Sequence, residues 1–412
     1  MKGIIIVLDG LADLPCKQFE GKTPLEAANI PNLNFLASRG ELGYMYPVRQ
    51  GFVPESDQAI VSIFGNELIN SSRGQLEARG AEITLVRGDL ALRANFATID
   101  SFVKRNIIDR RAGRTLTTAE AEILSKAINK INLPCKFIFK PTIQHRAVLV
   151  LKGGFSDNIS KNDLEYEQSK KITDKIENVR PLDEEENSQY TANILNEFLE
   201  ESYKVLNSHP INEERRKKGL LPANFLLMRG AGIESPKLKQ YKKWMAIVYM
   251  PLEIGIAKQS GMQVFSFEYP KLKNLDVYEN LYLGLEEACK FSIKTLKKQI
   301  ENFDYAYVHI KETDMPGHDN KPYEKKTMIE YIDKNLFSFI KDLATTNKIK
   351  IIVTADHSTP CKLKMHSSDP VPVLFYNDSK PEEKHFNEKE AKSGSLGRIE
   401  GKELLKKTGF LK

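Results

Sequence analysis

Three runs of the chain, GIIIVL (residues 3–8), YAYVHI (305–310) and KIKIIVT (348–354), are apolar on both faces through their centres. A strand with one wet face would alternate, so this pattern predicts strands covered by helices on both sides. Each run gives way to polar residues: Asp9 after the first, Asp314 and His318 beyond the second, Asp356 and His357 after the third. Between them, DVYENLYLGLEEACKFSIKTLKKQI (276–300) and PYEKKTMIEYIDKNLFSFIKDL (322–343) carry helical patterns. Strand, helix, strand, helix predicts parallel βαβ units. In such sheets ligands gather beyond the carboxyl ends of the strands. All three polar clusters are expected there, so the tips of strands far apart in sequence can build one site.

The middle of the chain reads differently. β-like runs (GDLALRANFATID, HRAVLVLKG, NFLLM, MAIVYM) mix with charged tracts such as LDEEENSQY and NEERRKKG, which suit solvated helix faces and loops. Strand-tip patterning resumes at GIAKQSGMQVFSF (255–267). The chain, at 412 residues, is too long for one compact core. The expected organisation is an α/β core of mostly parallel sheet flanked by helices, made of residues 1–75 and 251–412. An inserted domain of mixed α+β character occupies 76–250. The C-terminal GSLGRIEGKELLKKTGFLK reads as a glycine-rich loop and a final amphipathic helix, placed either on the core or in closure of the molecule.

Composition narrows the function. The net charge of +6 comes from 61 basic residues scattered among 55 acidic ones. A nucleic-acid binder would cluster its basic residues on one stripe; a small anionic ligand is the more economical partner. Cys16, Cys135, Cys289 and Cys361 lie far apart with no CxxC, which argues against a disulfide framework and a thiolate zinc site and fits a reducing compartment. No apolar run reaches the length of a membrane span, and the N-terminal apolar run meets Asp9 too soon for a signal peptide. A cytoplasmic protein is expected, monomeric or homo-oligomeric.

The strand-tip residues have the chemistry of metal ligands. Carboxylates suit hard divalent cations, and manganese and zinc also accept imidazole. Asp314 and His318 stand four apart in ETDMPGHD, where Pro316 and Gly317 predict a loop or turn, so the pair should converge by turning and not by helical spacing. Asp356 and His357 are adjacent, His366 follows on the next loop, and Asp9 ends the first strand. Six such ligands suit two cations, an arrangement that clamps phosphoryl groups. Singly, each Asp reads as a turn or cap residue and each His as a packed or exposed side chain. Bland loop chemistry does not require three of the seven histidines to fall beside an Asp in strand-tip loops. In GFVPESDQAIVSIFGNE, Ser56 precedes a helix-like run. Alone it reads as an N-cap. Near a metal cluster it also reads as a nucleophile, at a helix end that welcomes phosphate.

The stretches IIIVLDGLADLP, GKTPLEAANIPNLNFLASRGELG, PESDQA, NFATID, IIDRRAGR, MRGAG, VHIKETDMPGHD, TADHSTPCKLKMHSSDPVPVLFY and GSLGRIEGKEL run in order over nearly the whole chain. In them the chain resembles the archaeal-type, cofactor-independent phosphoglycerate mutases of the alkaline phosphatase superfamily. The resemblance implies an alkaline-phosphatase-like core. Asp9, Ser56, Asp356 and His357 would hold one metal, with Ser56 also the phosphorylated nucleophile; Asp314, His318 and His366 would hold the second. Manganese is the first choice of cation, with zinc, cobalt or magnesium as alternatives, and bisphosphoglycerate is not required. The insert would bind the sugar acid through Arg110, Arg111, Arg114 and Arg229, with Lys258 from GIAK, and Asp109 would shuttle protons. Without the resemblance, DRRAGR reads as a basic surface turn. Three positions depart from the family pattern: Glu55 and Ala355 stand where Gly is expected, and Met315-Pro316 replace Glu-Ala. Glu55 would bring a negative charge toward an incoming phosphate, so its side chain is expected to point away. The implied reaction interconverts 3-phosphoglycerate and 2-phosphoglycerate through a phosphoserine. A metal-dependent phosphatase or sulfatase-like hydrolase, a homoserine-kinase-like phosphotransferase and a non-catalytic metal-stabilised binding protein are the alternatives.

Overall fold

A computed structural model describes residues 1–67, 73–162, 175–272 and 275–411. Its strands are β1 (Gly3–Leu8), β2 (Gly40–Tyr46), β3 (Leu90–Ile99), β4 (Ile107–Asp109), β5 (Phe137–Pro141), β6 (Arg146–Leu151), β7 (Phe225–Gly232), β8 (Trp244–Ile247), β9 (Gln263–Phe265), β10 (Tyr305–Ile310), β11 (Lys350–Thr354), β12 (Val371–Tyr376) and β13 (Gly397–Glu400). Eight of them form one sheet in the order β13-β2-β12-β11-β1-β10-β8-β9. The three apolar runs are its central strands. β1 pairs parallel with β10, Gly3 opposite Tyr305 through Leu8 opposite Ile310, and parallel with β11, Gly3 opposite Lys350 through Val7 opposite Thr354. This register brings Asp9, Lys311 and Asp356 out at one edge of the sheet. β12 and β2 run antiparallel to their inner neighbours.

The strand interiors are dry because helices cover both faces. Ile4 to Leu8 are fully buried, each such side chain contributing about 1.5–3 kcal/mol. Helix Val277–Gln299 turns Leu281, Leu285, Ala288, Ser292 and Leu296 inward, an i, i+4, i+7 stripe. Asp276 caps it, its carboxylate accepting from the backbone N–H groups of Tyr278 and Glu279 at 2.9 and 3.1 Å. Helix Pro322–Ile332 begins on proline and continues through a π turn, Asp333–Phe337, into Ser338–Asn347. Both predicted helices are therefore present. The chain end also joins this body: β13 pairs parallel with β2, and Phe410 is buried.

A second, antiparallel sheet has the order β4-β3-β6-β5, with β7 on β3. It has its own core, in which Phe96, Phe139 and Phe198 meet. β8, which lies within the stretch expected as the insert, pairs parallel with β10 in the large sheet. Its four residues are all buried, and only a strand covered on both faces accommodates that. The two bodies are joined closely where helix Arg73–Gly80 crosses helix Pro251–Gln259. A Cβ on Gly80 would stand 1.7 Å from the Pro251 carbonyl oxygen and one on Gly255 1.9 Å from that of Leu76, so the glycines let the backbones touch.

Candidate active site

At the carboxyl edge of the large sheet, His357 is the hub. Its Nε2 lies 3.2 Å from Asp9 Oδ1, 3.4 Å from Asp356 Oδ2 and 3.2 Å from Ser56 Oγ. Ser56 is the first residue of helix Ser56–Ile63, and the N-cap position falls to Glu55. The Ser56 hydroxyl thus faces the cluster from a helix N-terminus.

Asp314 and His318 lie on a single helical turn, Asp314–His318, and not on the loop expected from Pro316 and Gly317. Proline is tolerated because the first turn needs no backbone N–H. Gly317 is required by packing: a Cβ there would sit 2.3 Å from the Thr359 carbonyl oxygen. Helical spacing, not a turn, therefore pairs His318 Nε2 with Asp314 Oδ2 at 3.3 Å, while His366 Nε2 lies 3.8 Å from Asp314 Oδ1.

The far nitrogens of these rings are fixed from behind. His318 Nδ1 bonds the Lys364 carbonyl oxygen at 3.0 Å, and His366 Nδ1 that of Pro54 at 2.9 Å. A carbonyl only accepts, so both Nδ1 atoms donate. His357 Nδ1 bonds Thr359 Oγ1 at 3.0 Å, and that hydroxyl donates to Asp314 Oδ1 at 2.7 Å. The three Nε2 atoms face one space, the arrangement that orients histidine for a cation; that of His318 pairs with Asp314, which raises His318 against the effect of burial. Burial pushes His357 down to about 3 with Lys311 reinforcing it, and burial beside His357 does the same for His366, so both are neutral at physiological pH. Burial and Asp356 raise Asp9 well above the usual carboxylate range, against the pull of Lys311. For Asp314 burial is outweighed by His318 and the other imidazoles, which hold it well below that range. Asp9 Oδ1, Asp356 Oδ2 and His309 Nε2 are buried without a hydrogen-bond partner. Three overlapping groups, Asp314/His318/His366, Asp9/Asp314/His357 and Asp9/His309/Asp356, each bring ligand atoms within 4.8 Å of one another. Orphaned carboxylate oxygens beside neutral imidazoles fit divalent cations by the chemistry of the donors.

Three members escaped sequence reasoning. His309 points from β10 toward Asp356 Oδ2, 3.9 Å away; its signal was a lone imidazole in an apolar strand. Lys311 contacts Asp9 Oδ2 and lies 2.8 Å from Glu253 Oε1.

A cavity of about 150 Å³ opens over this edge. Asp9, Ser56, Asp314, His318 and His366 line its floor; Arg93, Arg111, Arg146 and Arg229 come from the second body. Arg93 on β3 sits opposite Arg229 on β7, and Arg146 on β6 opposite Asn95 on β3, so strand pairing assembles the basic wall. Burial and the neighbouring Arg73 and Arg229, against Glu77, push Arg93 down to about 9. Of the predicted substrate residues, Arg111 and Arg229 are in this cavity. Asp109, Arg110 and Arg114 instead line, with Arg111, Tyr278 and Asp319, a more open pocket of about 640 Å³. Arg114 Nη1 pairs with Asp319 Oδ2 at 2.6 Å. Asp109 Oδ1 accepts from the backbone N–H groups of Arg111 and Gly113 at 2.7 and 2.8 Å, shaping the turn. Lys258 lies elsewhere, 3.3 Å from Glu82 and 40% exposed, because its helix turns it outward. Glu55 does not point away: it lines the cavity, 2.9 Å from Arg73 and 3.4 Å from Arg229. Those guanidiniums outweigh burial and keep it far below the usual carboxylate range.

The chain is similar to known proteins over nearly its whole length. A family profile described as 2,3-bisphosphoglycerate-independent phosphoglycerate mutase matches residues 37–212. Proteins of that name from Thermococcus kodakarensis and Pyrococcus furiosus are each 40% identical, over 98% of this chain and 95% of theirs. Among solved structures, a Pyrococcus horikoshii protein aligns with a TM-score of 0.77 at 31% identity, covering 100% of this chain and 98% of that one. The cofactor-independent phosphoglycerate mutase of Thermoplasma acidophilum aligns with a TM-score of 0.56 at 32% identity, covering 98% of both. Similarity at this identity over nearly the full length of both chains shows that the chain belongs to the 2,3-bisphosphoglycerate-independent phosphoglycerate mutase family.

Proposed function

We propose that the enzyme interconverts 3-phosphoglycerate and 2-phosphoglycerate through a phosphoserine at Ser56, in a site made for two divalent cations. Asp9, Ser56, Asp356 and His357 would hold one, with His309 beside it; Asp314, His318 and His366 would hold the other. The donor set favours manganese, with zinc and cobalt next and magnesium last. Such cations, when bound, neutralise phosphoryl oxygens and make the serine hydroxyl a better nucleophile. The chain's own part follows from its geometry. Ser56 Oγ, giving up its proton, attacks phosphorus from a helix N-terminus whose backbone N–H groups stabilise the phosphate; the bond from phosphorus to the 3-oxygen of the glycerate breaks and that oxygen takes up a proton. Arg111, Arg146 and Arg229 hold the glycerate by paired hydrogen bonds to its carboxylate. Retained there, the glycerate re-orients and its other hydroxyl takes the phosphate from Ser56. Interconversion of these esters is a step of glycolysis and gluconeogenesis, and we assign the reaction to the cytoplasm.

One observation carries this reading: Ser56 Oγ, 3.2 Å from His357, faces the ligand cluster across a cavity walled by arginines. A hydrolase has no need to retain its alcohol product, and the arginine wall supplies that retention. The test is incubation of the manganese-loaded enzyme with 3-phosphoglycerate and no bisphosphoglycerate. The expected product is 2-phosphoglycerate with little free phosphate; mostly free phosphate would establish the hydrolase instead.

A further inference from the structure

Two carboxylates stand among the arginines of the cavity. Glu77 is buried behind them, its Oε1 2.8 Å from Arg73 Nε and 3.7 Å from Arg93 Nε. Glu55 is placed differently. It immediately precedes Ser56 and spans two guanidiniums, Oε2 at 2.9 Å from Arg73 Nη1 and Oε1 at 3.4 Å from Arg229 Nη1. Arg73 has two other carboxylates, Asp57 at 3.3 Å and Glu77 at 2.8 Å, so its charge is balanced without Glu55. The longer contact is to Arg229, which lines the cavity that an anionic substrate must enter. A carboxylate tethered on that guanidinium competes with every incoming anion at a high effective concentration.

We propose that Glu55 is a specificity-determining residue, its carboxylate occupying Arg229 until a substrate carrying both phosphate and carboxylate displaces it toward Arg73. The proposal rests on the mutase reading and names what selects its substrate. A lone tetrahedral anion that binds at Arg229 has to displace Glu55 with contacts at one end only. A phosphoglycerate anchored by its phosphate at Ser56 presents its carboxylate to Arg229 as an intramolecular ligand. The same obstacle therefore discriminates against single anions more than against the two-headed substrate.

The probe is inorganic sulfate, which cannot be turned over, titrated calorimetrically into the manganese-loaded wild type and Glu55→Gln. The variant should bind sulfate roughly tenfold more tightly, the scale of one charge-assisted hydrogen bond, while its KM for 3-phosphoglycerate falls by a smaller factor. Unchanged or weaker sulfate binding, or an equal fall in KM, would overturn the assignment. Should Glu55→Gln not fold, Glu55→Asp keeps the charge but shortens its reach to Arg229. It should show the same gain, and wild-type sulfate affinity in that variant would count against Glu55. Sulfate binding is read without turnover. A wild type that makes no 2-phosphoglycerate therefore refutes the mutase reading separately.

Discussion

At the residue scale, the chemistry behind the site is as informative as the site itself. Lys325 is fully buried, its ammonium donating to Asp13 Oδ2 at 2.9 Å and to the carbonyl oxygens of Ala12 and Thr359 at 3.2 and 3.0 Å. Thr359 in turn bonds Asp314 and His357, so this lysine ties the loop after β1 to the loop that carries the ligands. Glu388 closes the network from the other side, accepting from Asp13 N at 3.1 Å and Thr23 Oγ1 at 2.7 Å. Burial raises its carboxyl from 4.5 to about 7. A carboxyl raised on folding adds stability that is complete below about 4.5 and is lost as the pH rises through about 7. Wild type should therefore lose about 2 kcal/mol relative to Glu388→Gln between pH 5 and 8, after allowance for partial exposure. Urea unfolding at both pH values checks it; parallel behaviour of the two proteins would contradict it. Such residues were not legible from sequence, because Lys325 and Glu388 look like ordinary charged positions on helices. Asp9, Asp356, His357 and Ser56 were legible because they sit at ends of strongly patterned elements. His309 was hidden inside one, and Arg73, Arg93 and Arg146 carried no motif.

At the element scale, the apolar runs and the helices between them were readable because burial on both faces and helical periodicity leave direct marks. The turn Asp314–His318 was misread because Pro and Gly usually break helices. Here proline occupies the turn's permitted first residues, and glycine makes room for the Thr359 backbone. That contact packs the turn that carries His318 against the loop that carries His357. Gly317→Ala should shift the turn, cost about 1–3 kcal/mol of stability, and weaken manganese binding at Asp314, His318 and His366 roughly tenfold or more. Calorimetric titration with manganese, paired with thermal unfolding, measures both. Wild-type affinity in a destabilised variant would show that the contact serves packing alone.

At the scale of the whole molecule, the site is divided between two bodies: the large sheet supplies Ser56 and the ligand cluster, the antiparallel sheet supplies the arginines. The strands of the antiparallel sheet carry a change of pattern after the first strands, whereas the composition of β8 suits either sheet. Closure is visible in contacts across the cleft: Arg114 pairs with Asp319, which also accepts from Tyr278 Oη at 2.9 Å. These side chains line the second pocket and not the cavity over the ligand cluster. A closed cleft matters because water reaching a phosphoserine would convert a mutase into a phosphatase. In the proposed reaction Ser56 carries the phosphate between the two esters. The most direct test is to quench the manganese-loaded enzyme in acid during turnover of 3-phosphoglycerate and map its peptides by mass spectrometry. Phosphate on Ser56, appearing no more slowly than 2-phosphoglycerate, is the expected result; 2-phosphoglycerate formed with Ser56 unmodified, or with the phosphate on another residue, would contradict it.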